Sequence, residues 1–271
     1  MKKIFRYFQL KISSFNVILI LGILLIYQFC LFLNLIIQHK PFNFYDLLIE
    51  DFSYLSLFFI ISILYLILIY KVSEKTNFYK YLFLKFESKY KVYNANVFSV
   101  FMFSIIFVLC AILIAIIQCF TNISFNNVWS SHFFSVMTGK INLFYSNEAI
   151  KIVTSKLTPL TYVLYTTIFV ILYLFTLAMI FLVSNICFKK RELSFIVVIG
   201  IIIANMFLDS SSGIIGRLTF TRNIFFITAS ILELQDYTFI IYRICYWLSL
   251  ISILYLIGKL SIKNFDYNFG E

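Results

Sequence analysis

The side chains best equipped for chemistry are the two histidines, His39 and His132, because an imidazole can act as a general base or as a metal ligand. Neither has Cys, Asp or Glu at ligand spacing, and both fall in segments read as external loops, so no metal site is expected. The run Ser210-Ser211-Ser212-Gly213 offers a nucleophile of the kind found in intramembrane proteases. A serine in that setting needs a base from another membrane segment, and no apolar run contains histidine. The five cysteines, Cys30, Cys110, Cys119, Cys187 and Cys245, form an odd set without a C-x-x-C pair and read as small apolar residues. None of the seven glycines stands in G-x-x-x-x-G-K-[ST], so no phosphate loop is present. The chain is therefore expected to be no enzyme by itself and to bind no cofactor.

What remains is a set of polar groups inside apolar runs: Gln28, Asn34, Asn185, Asn205 and Arg243. Amides at such depth are mostly glue between helices, with a substrate path through Gln28, Asn34, Asn205 and Arg243 as the functional alternative. Arg243 lies five residues inside one end of the last run. It is expected to snorkel to the outer headgroups; the sharper reading has it face the bundle and meet an anionic part of a substrate, or pair with Asp236 or Glu233. The runs as drawn below contain no Asp, Glu or Lys. Carriers driven by protons or sodium keep ionisable groups at depth, so a self-energised carrier is disfavoured.

These groups must be positioned by membrane helices. Of the 271 residues, 62% are hydrophobic and 13% charged, against about half and about a quarter in an ordinary soluble domain. Six stretches approach the roughly 20 apolar residues that cross a bilayer: Phe15 to Gln38, Ser53 to Tyr70, Val97 to Gln118, Leu160 to Ile186, Leu193 to Leu208 and Thr238 to Gly258. Thr158-Pro159, a capping residue followed by proline at the first helical position, marks the start of the fourth. The formal charge of +10 is spread in short blocks between these runs and not gathered on one face, which argues against nucleic acid. With alternating connections, fifteen Lys and Arg fall on one side and seven on the other, placing both termini in the cytoplasm. The fold class is thus an all-α polytopic membrane protein, one domain over residues 1–271, in a bacterial cytoplasmic membrane.

Two cytoplasmic pieces read as helices. Ile4, Phe8, Ile12 and Phe15 oppose Lys2, Lys3, Arg6 and Lys11, as in an interfacial amphipathic helix. Between the second and third runs, Tyr79, Phe83, Phe86, Tyr90 and Tyr93 recur at helical spacing, apart from Lys80, Glu87 and Lys91. On the other side, Cys119 to Pro159 reads as a long polar loop with some local helix. Asp209 to Tyr237 is too apolar for a solvated tether and too interrupted to cross, so it is expected to dip into or lie on the outer leaflet.

This layout resembles the permease subunit of type-2 ABC exporters over nearly the whole chain. The family's basic N-terminal helix, coupling helix and re-entrant external segment correspond to Met1 to Ser14, Tyr79 to Lys91, and Ser212-Gly213-Ile214-Ile215-Gly216 through Leu234, the last including Gly213 and Gly216. The resemblance implies a separate dimeric ABC ATPase, carrying ATP and magnesium, that docks on Phe83, Lys85, Phe86, Glu87, Lys89, Tyr90 and Lys91. It also implies a second permease copy or a related permease as partner. The expected substrate is amphiphilic or hydrophobic: an antimicrobial peptide, a lipid or a drug. A non-transporting immunity or scaffold protein that binds a partner in the bilayer is the alternative.

Overall fold

The computed structural model describes residues 8–9, 15–38, 41–72, 88–120, 124–140, 147–209, 213–228, 234 and 238–264, and these are helical with no strand among them. In chain order the helices are α1 (Phe15–Ile37), α2 (Phe44–Asp51), α3 (Ser62–Val72), α4 (Lys89–Cys119), α5 (Ser131–Lys140), α6 (Asn147–Lys156), α7 (Pro159–Phe188), α8 (Arg191–Leu208), α9 (Ile214–Arg217), α10 (Phe220–Ile224) and α11 (Phe239–Ser261). A π-helical turn, Ser56–Ile61, leads into α3. The five helices α1, α4, α7, α8 and α11 are long and apolar enough to cross a membrane, and six segments qualify if the bent pair Phe44–Asp51 and Ser56–Tyr70 counts as one. This is the architecture of a multi-pass membrane protein.

Helix α7 is the hub. It packs against α2, α3, α4, α8, α10 and α11, and 78% of its most apolar stretch is buried, against 11% for α11. The Thr158-Pro159 start is as the sequence requires: Thr158 caps the helix by accepting from the Thr161 amide, with proline in the first turn. At its other end Lys189 takes a left-handed conformation (φ 58°), so only Lys189 and Lys190 separate α7 from α8.

The interior is apolar, as in a water-soluble core, but so is much of the surface, and several polar side chains lie inside. Ile18, Ile26, Leu113, Ile196, Phe207 and Leu256 are exposed, while Gln28, Ser62, Ser99, Ser104, Thr176 and Asn205 are buried. Large exposed apolar faces belong in lipid, where the hydrophobic effect no longer drives helices together and polar contacts and close packing do so instead. Accordingly, the Tyr65 hydroxyl donates to the Val100 carbonyl (3.1 Å), and the hydroxyls of Ser62 and Tyr173 lie 2.9 Å apart. The five cysteines form no disulfide.

Two segments depart from the sequence expectation. The second apolar run starts earlier than Ser53: α2 precedes it, opened by a capping box in which Asn43 Oδ1 accepts from the Asp46 amide (3.0 Å) and Asp46 Oδ2 accepts from the Asn43 amide (2.7 Å). Asp46, Glu50 and Asp51 make this stretch look like a loop in sequence, yet Asp46 and Asp51 are buried. The chain then bends by 58° before the π turn, which closes on the Leu57 carbonyl: it accepts both the Ser62 amide and Ser62 Oγ (2.6 Å). An acidic side chain, Asp51, is thus enclosed in the bundle just ahead of the run that begins at Ser53.

The second concerns the connection after α4. The local helix expected there is present as α5 and α6, but the loop is more closely packed than its polarity suggests: Trp129 donates to the Leu157 carbonyl (3.0 Å) and lies 4.3 Å from the Phe133 ring. Asn43 Nδ2 reaches the Val128 carbonyl (2.9 Å), and the Leu160 amide donates to Asn127 Oδ1 (2.9 Å). The loop is therefore fastened to α2 and α7.

Candidate functional site

The segment between α8 and α11 has the most irregular backbone beside the apolar helices. Gly213 enters it at φ +81° and ψ −147°, a conformation that L side chains rarely adopt. The four-residue α9 and five-residue α10 leave carbonyls that helices of this length cannot satisfy, and in an apolar medium each unsatisfied group costs several kcal/mol. The sequence supplies the partners from both sides. Asn205 on α8 accepts from the Phe220 amide (2.6 Å), capping α10, and its Nδ2 reaches Thr221 Oγ1 (3.4 Å). Asn223 Nδ2 donates to the carbonyls of Arg217 and Thr219, both at 2.8 Å. Thr219 Oγ1 donates to the buried Gly216 carbonyl (2.8 Å) and lies 3.2 Å from Asp209 Oδ1.

Helix α11 closes the arrangement with three residues on one face. Arg243 Nη2 donates to the Phe225 carbonyl (3.2 Å), Tyr246 to Leu218 (2.8 Å) and Trp247 Nε1 to Asn223 (3.1 Å). Spacing of three and four residues is what presents them together to the segment. Arg243 is 3% exposed, its guanidinium lying over the rings of Phe226 (4.7 Å) and Phe239 (5.7 Å). Snorkelling to headgroups is corrected by this placement: the side chain is held inside the protein by a carbonyl and two aromatic faces.

Above this clamp is a cavity of about 220 Å³ lined by Arg217, Arg222, Asn223, Thr238, Phe239, Tyr242 and Arg243. Three guanidinium groups and no carboxylate are among its described lining residues. Glu233 and Asp236, the alternative partners for Arg243, lie outside the described residues. The nearest described acid of the segment is Asp209, whose carboxyl is held above its usual range by burial, against the Thr219 hydroxyl and the attraction of Arg222. Three guanidinium groups, of which Arg243 is fixed, beside the Phe239 ring suit an anionic group carried on an apolar body.

No family model, no curated protein and no solved structure matches this chain.

The structure does not bring the sequence-selected path residues together. Asn34 is exposed on α1. Asn205 spends its amide on α10 and acts as glue. Gln28 is fully buried elsewhere, donating to Asp51 Oδ2 (2.6 Å) and to the Ala111 carbonyl (3.1 Å). Arg243 alone of these joins the cavity, where Arg217 and Arg222 accompany it; in sequence those two only interrupt an apolar stretch, and their spacing to Arg243 gives no local signal. Of the docking residues, Phe83, Lys85, Phe86 and Glu87 lie outside the described residues. Lys89, Tyr90 and Lys91 are exposed in the first turn of α4, capped by Ser88, and so belong to the base of that long helix, which runs on through residue 97 without a break. Tyr93, grouped in sequence with the same aromatic stripe, is instead buried against Tyr255 at 5.6 Å. Of the expected N-terminal amphipathic helix only residues 8–9 are described, with Phe8 buried against Phe103 of α4 (5.3 Å).

Proposed function

We propose that this chain is the membrane-spanning permease subunit of an ATP-binding-cassette exporter. It spans a bacterial cytoplasmic membrane six times, with the bent pair as the second span and both termini inside. A separate ATPase dimer binds ATP and magnesium and drives it, and a second permease copy completes the path. The substrate is an amphiphile with an anionic part, such as a lipid, a drug or an antimicrobial peptide.

The observation that supports this reading most is the clamped segment between α8 and α11. It occupies the position at which the resembled permeases carry a re-entrant element, and it places a cationic, aromatic-floored cavity next to the last span. Broad exposed apolar faces on α1, α8 and α11 agree with lipid contact and with a second subunit. Basic residues at the bases of α4 and α8 give an ATPase a charged surface to engage.

The reading is tested by co-purification from native membranes. A nucleotide-binding ATPase should accompany the tagged chain and be lost on combining Phe86→Ala with Glu87→Lys, while the permease itself remains in the membrane. Recovery of the chain without an ATPase, but with a bound toxin or other membrane partner, would support an immunity or scaffold protein in its place.

A further inference from the structure

The bend between α2 and the π turn holds a group that export by a partner ATPase does not use. Asp51, the last residue of α2, and Gln28 of α1 are both 0% exposed. Gln28 Nε2 donates to Asp51 Oδ2 (2.6 Å) and to the Ala111 carbonyl of α4 (3.1 Å), so its amide hydrogens are spent. Two acceptors remain, Asp51 Oδ1 and Gln28 Oε1, and both are completely covered without a hydrogen-bond donor among the described residues. Gln28 is nine residues from the Ile37 end of α1, about 14 Å along the helix at 1.5 Å per residue.

The elements packed on α2 are α1, α4, α7 and the π turn. The titratable groups within electrostatic reach of Asp51 are Glu50 on α2, Tyr27 on α1 and Cys119 on α4, with none contributed by α7 or the π turn among the described residues. Each of these is neutral or acidic. The backbone adds to the same field: Asp51 stands at the C-terminal end of its helix, where the peptide dipoles present partial negative charge. An isolated carboxylate in that environment is costly, and proteins meet the cost by neutralising or pairing it. A positive charge held at Asp51 Oδ1 removes that penalty, and Gln28 Oε1 is a second buried acceptor without a donor among the described residues. Around the pair, Tyr27 donates to Ser56 Oγ (2.7 Å) and Ser53 Oγ lies 3.1 Å from it, so hydroxyls line the bend on its other side.

We propose that Asp51 and Gln28 form a buried binding site for a single positive charge, a proton or a small monovalent cation, at the bend of the second membrane segment. Asp51 holds the charge, Gln28 fixes the carboxyl through Oδ2, and the bend between α2 and the π turn is where occupancy is felt. The proposal rests on these side chains alone and stands whether or not an ATPase binds the chain.

Difference infrared spectroscopy of the full-length protein in detergent tests it. In choline buffer at neutral pH, wild type should show the C=O stretch of a protonated carboxyl that disappears when the pH is raised and is missing from Asp51→Asn. Gln28→Leu removes the hydrogen bond to Oδ2 and should move that band to higher frequency, which assigns it to Asp51 even if Asp51→Asn fails to fold. Replacing choline by sodium at constant pH separates the two ligands. Loss of the band means that sodium displaces the proton, and its persistence means that the proton is the ligand. Absence of the band from folded wild type in choline, or a band unmoved by Gln28→Leu, would overturn the site.

Discussion

Single residues decide how closely the helices approach, and Gly258 is the clearest case. A Cβ built there collides with the Tyr93 hydroxyl, which donates to the Tyr255 carbonyl (3.3 Å) and belongs to a ring only 1% exposed. The ring has nowhere to retreat, so Gly258→Ala should lower stability by about 1–3 kcal/mol, the usual cost of overpacking, seen as an earlier thermal transition in detergent. Gly22, with nothing within 4 Å of its built Cβ, is the control: Gly22→Ala should hold or raise stability, because glycine in a helix interior costs about 1 kcal/mol relative to alanine. Asp209 gives the segment between α8 and α11 a pH dependence. Its carboxyl is raised by burial, so the folded state holds the proton more tightly than the unfolded chain. Stability from this group is therefore greatest below the unfolded carboxylate value and declines as pH rises through the folded one. Asp209→Asn should stabilise the protein at neutral pH, and melting curves across acid pH should show the advantage shrinking as the wild-type carboxyl protonates. An advantage that grows toward low pH would contradict the assignment.

At the scale of elements, the test is whether polar side chains hold irregular backbone in an apolar setting. Trp247→Phe keeps the aromatic packing on Phe220 (5.7 Å) and Tyr173 (6.1 Å) but withdraws the donor from the buried Asn223 carbonyl. An acceptor left without a partner costs about 1–3 kcal/mol, and the loss should be local: protease cleavage within 213–228 ought to accelerate more than the global transition falls. Equal protection of that segment in the variant would show that the α11 clamp is dispensable. These elements also show what could be read in advance. The start of α7 was legible because Thr158-Pro159 is a local signal. The start of α2 was obscured: Asn43-Phe44-Tyr45-Asp46 is a capping box, but the acids that follow it have the composition of a loop. Only packing against α1, α4 and α7 explains why Asp51 is buried. Arg243 was equally ambiguous, because a lone arginine in an apolar run carries no periodicity to say which face it occupies.

At the scale of the whole molecule, composition and run length were sufficient for the class of fold, and five long helices answer to five of the six apolar runs. Contacts between distant elements add what a linear reading lacks, namely which ends lie together. Tyr70 at the close of α3 donates to Glu192 at the start of α8 (3.1 Å), Tyr93 near the start of α4 meets Tyr255 near the close of α11, and Cys187 near the close of α7 lies 3.8 Å from Ser261. That end carries Lys89, Lys91, Lys189, Lys190, Arg191 and Lys259. At the opposite end Lys156 donates to the Leu234 carbonyl (2.8 Å) and Asn127 caps the start of α7. An excess of Lys and Arg in short connections fixes the retained side during insertion, so the Lys89 end should be cytoplasmic. Single cysteines at Asn126 and at Ser88, in a background with the five native cysteines replaced by alanine, turn this into a measurement on intact cells. An impermeant thiol reagent should label the Asn126 position at once and the Ser88 position only after lysis. The reverse pattern would place the arginine cavity on the inner face, where an export path through it could only be entered and not left.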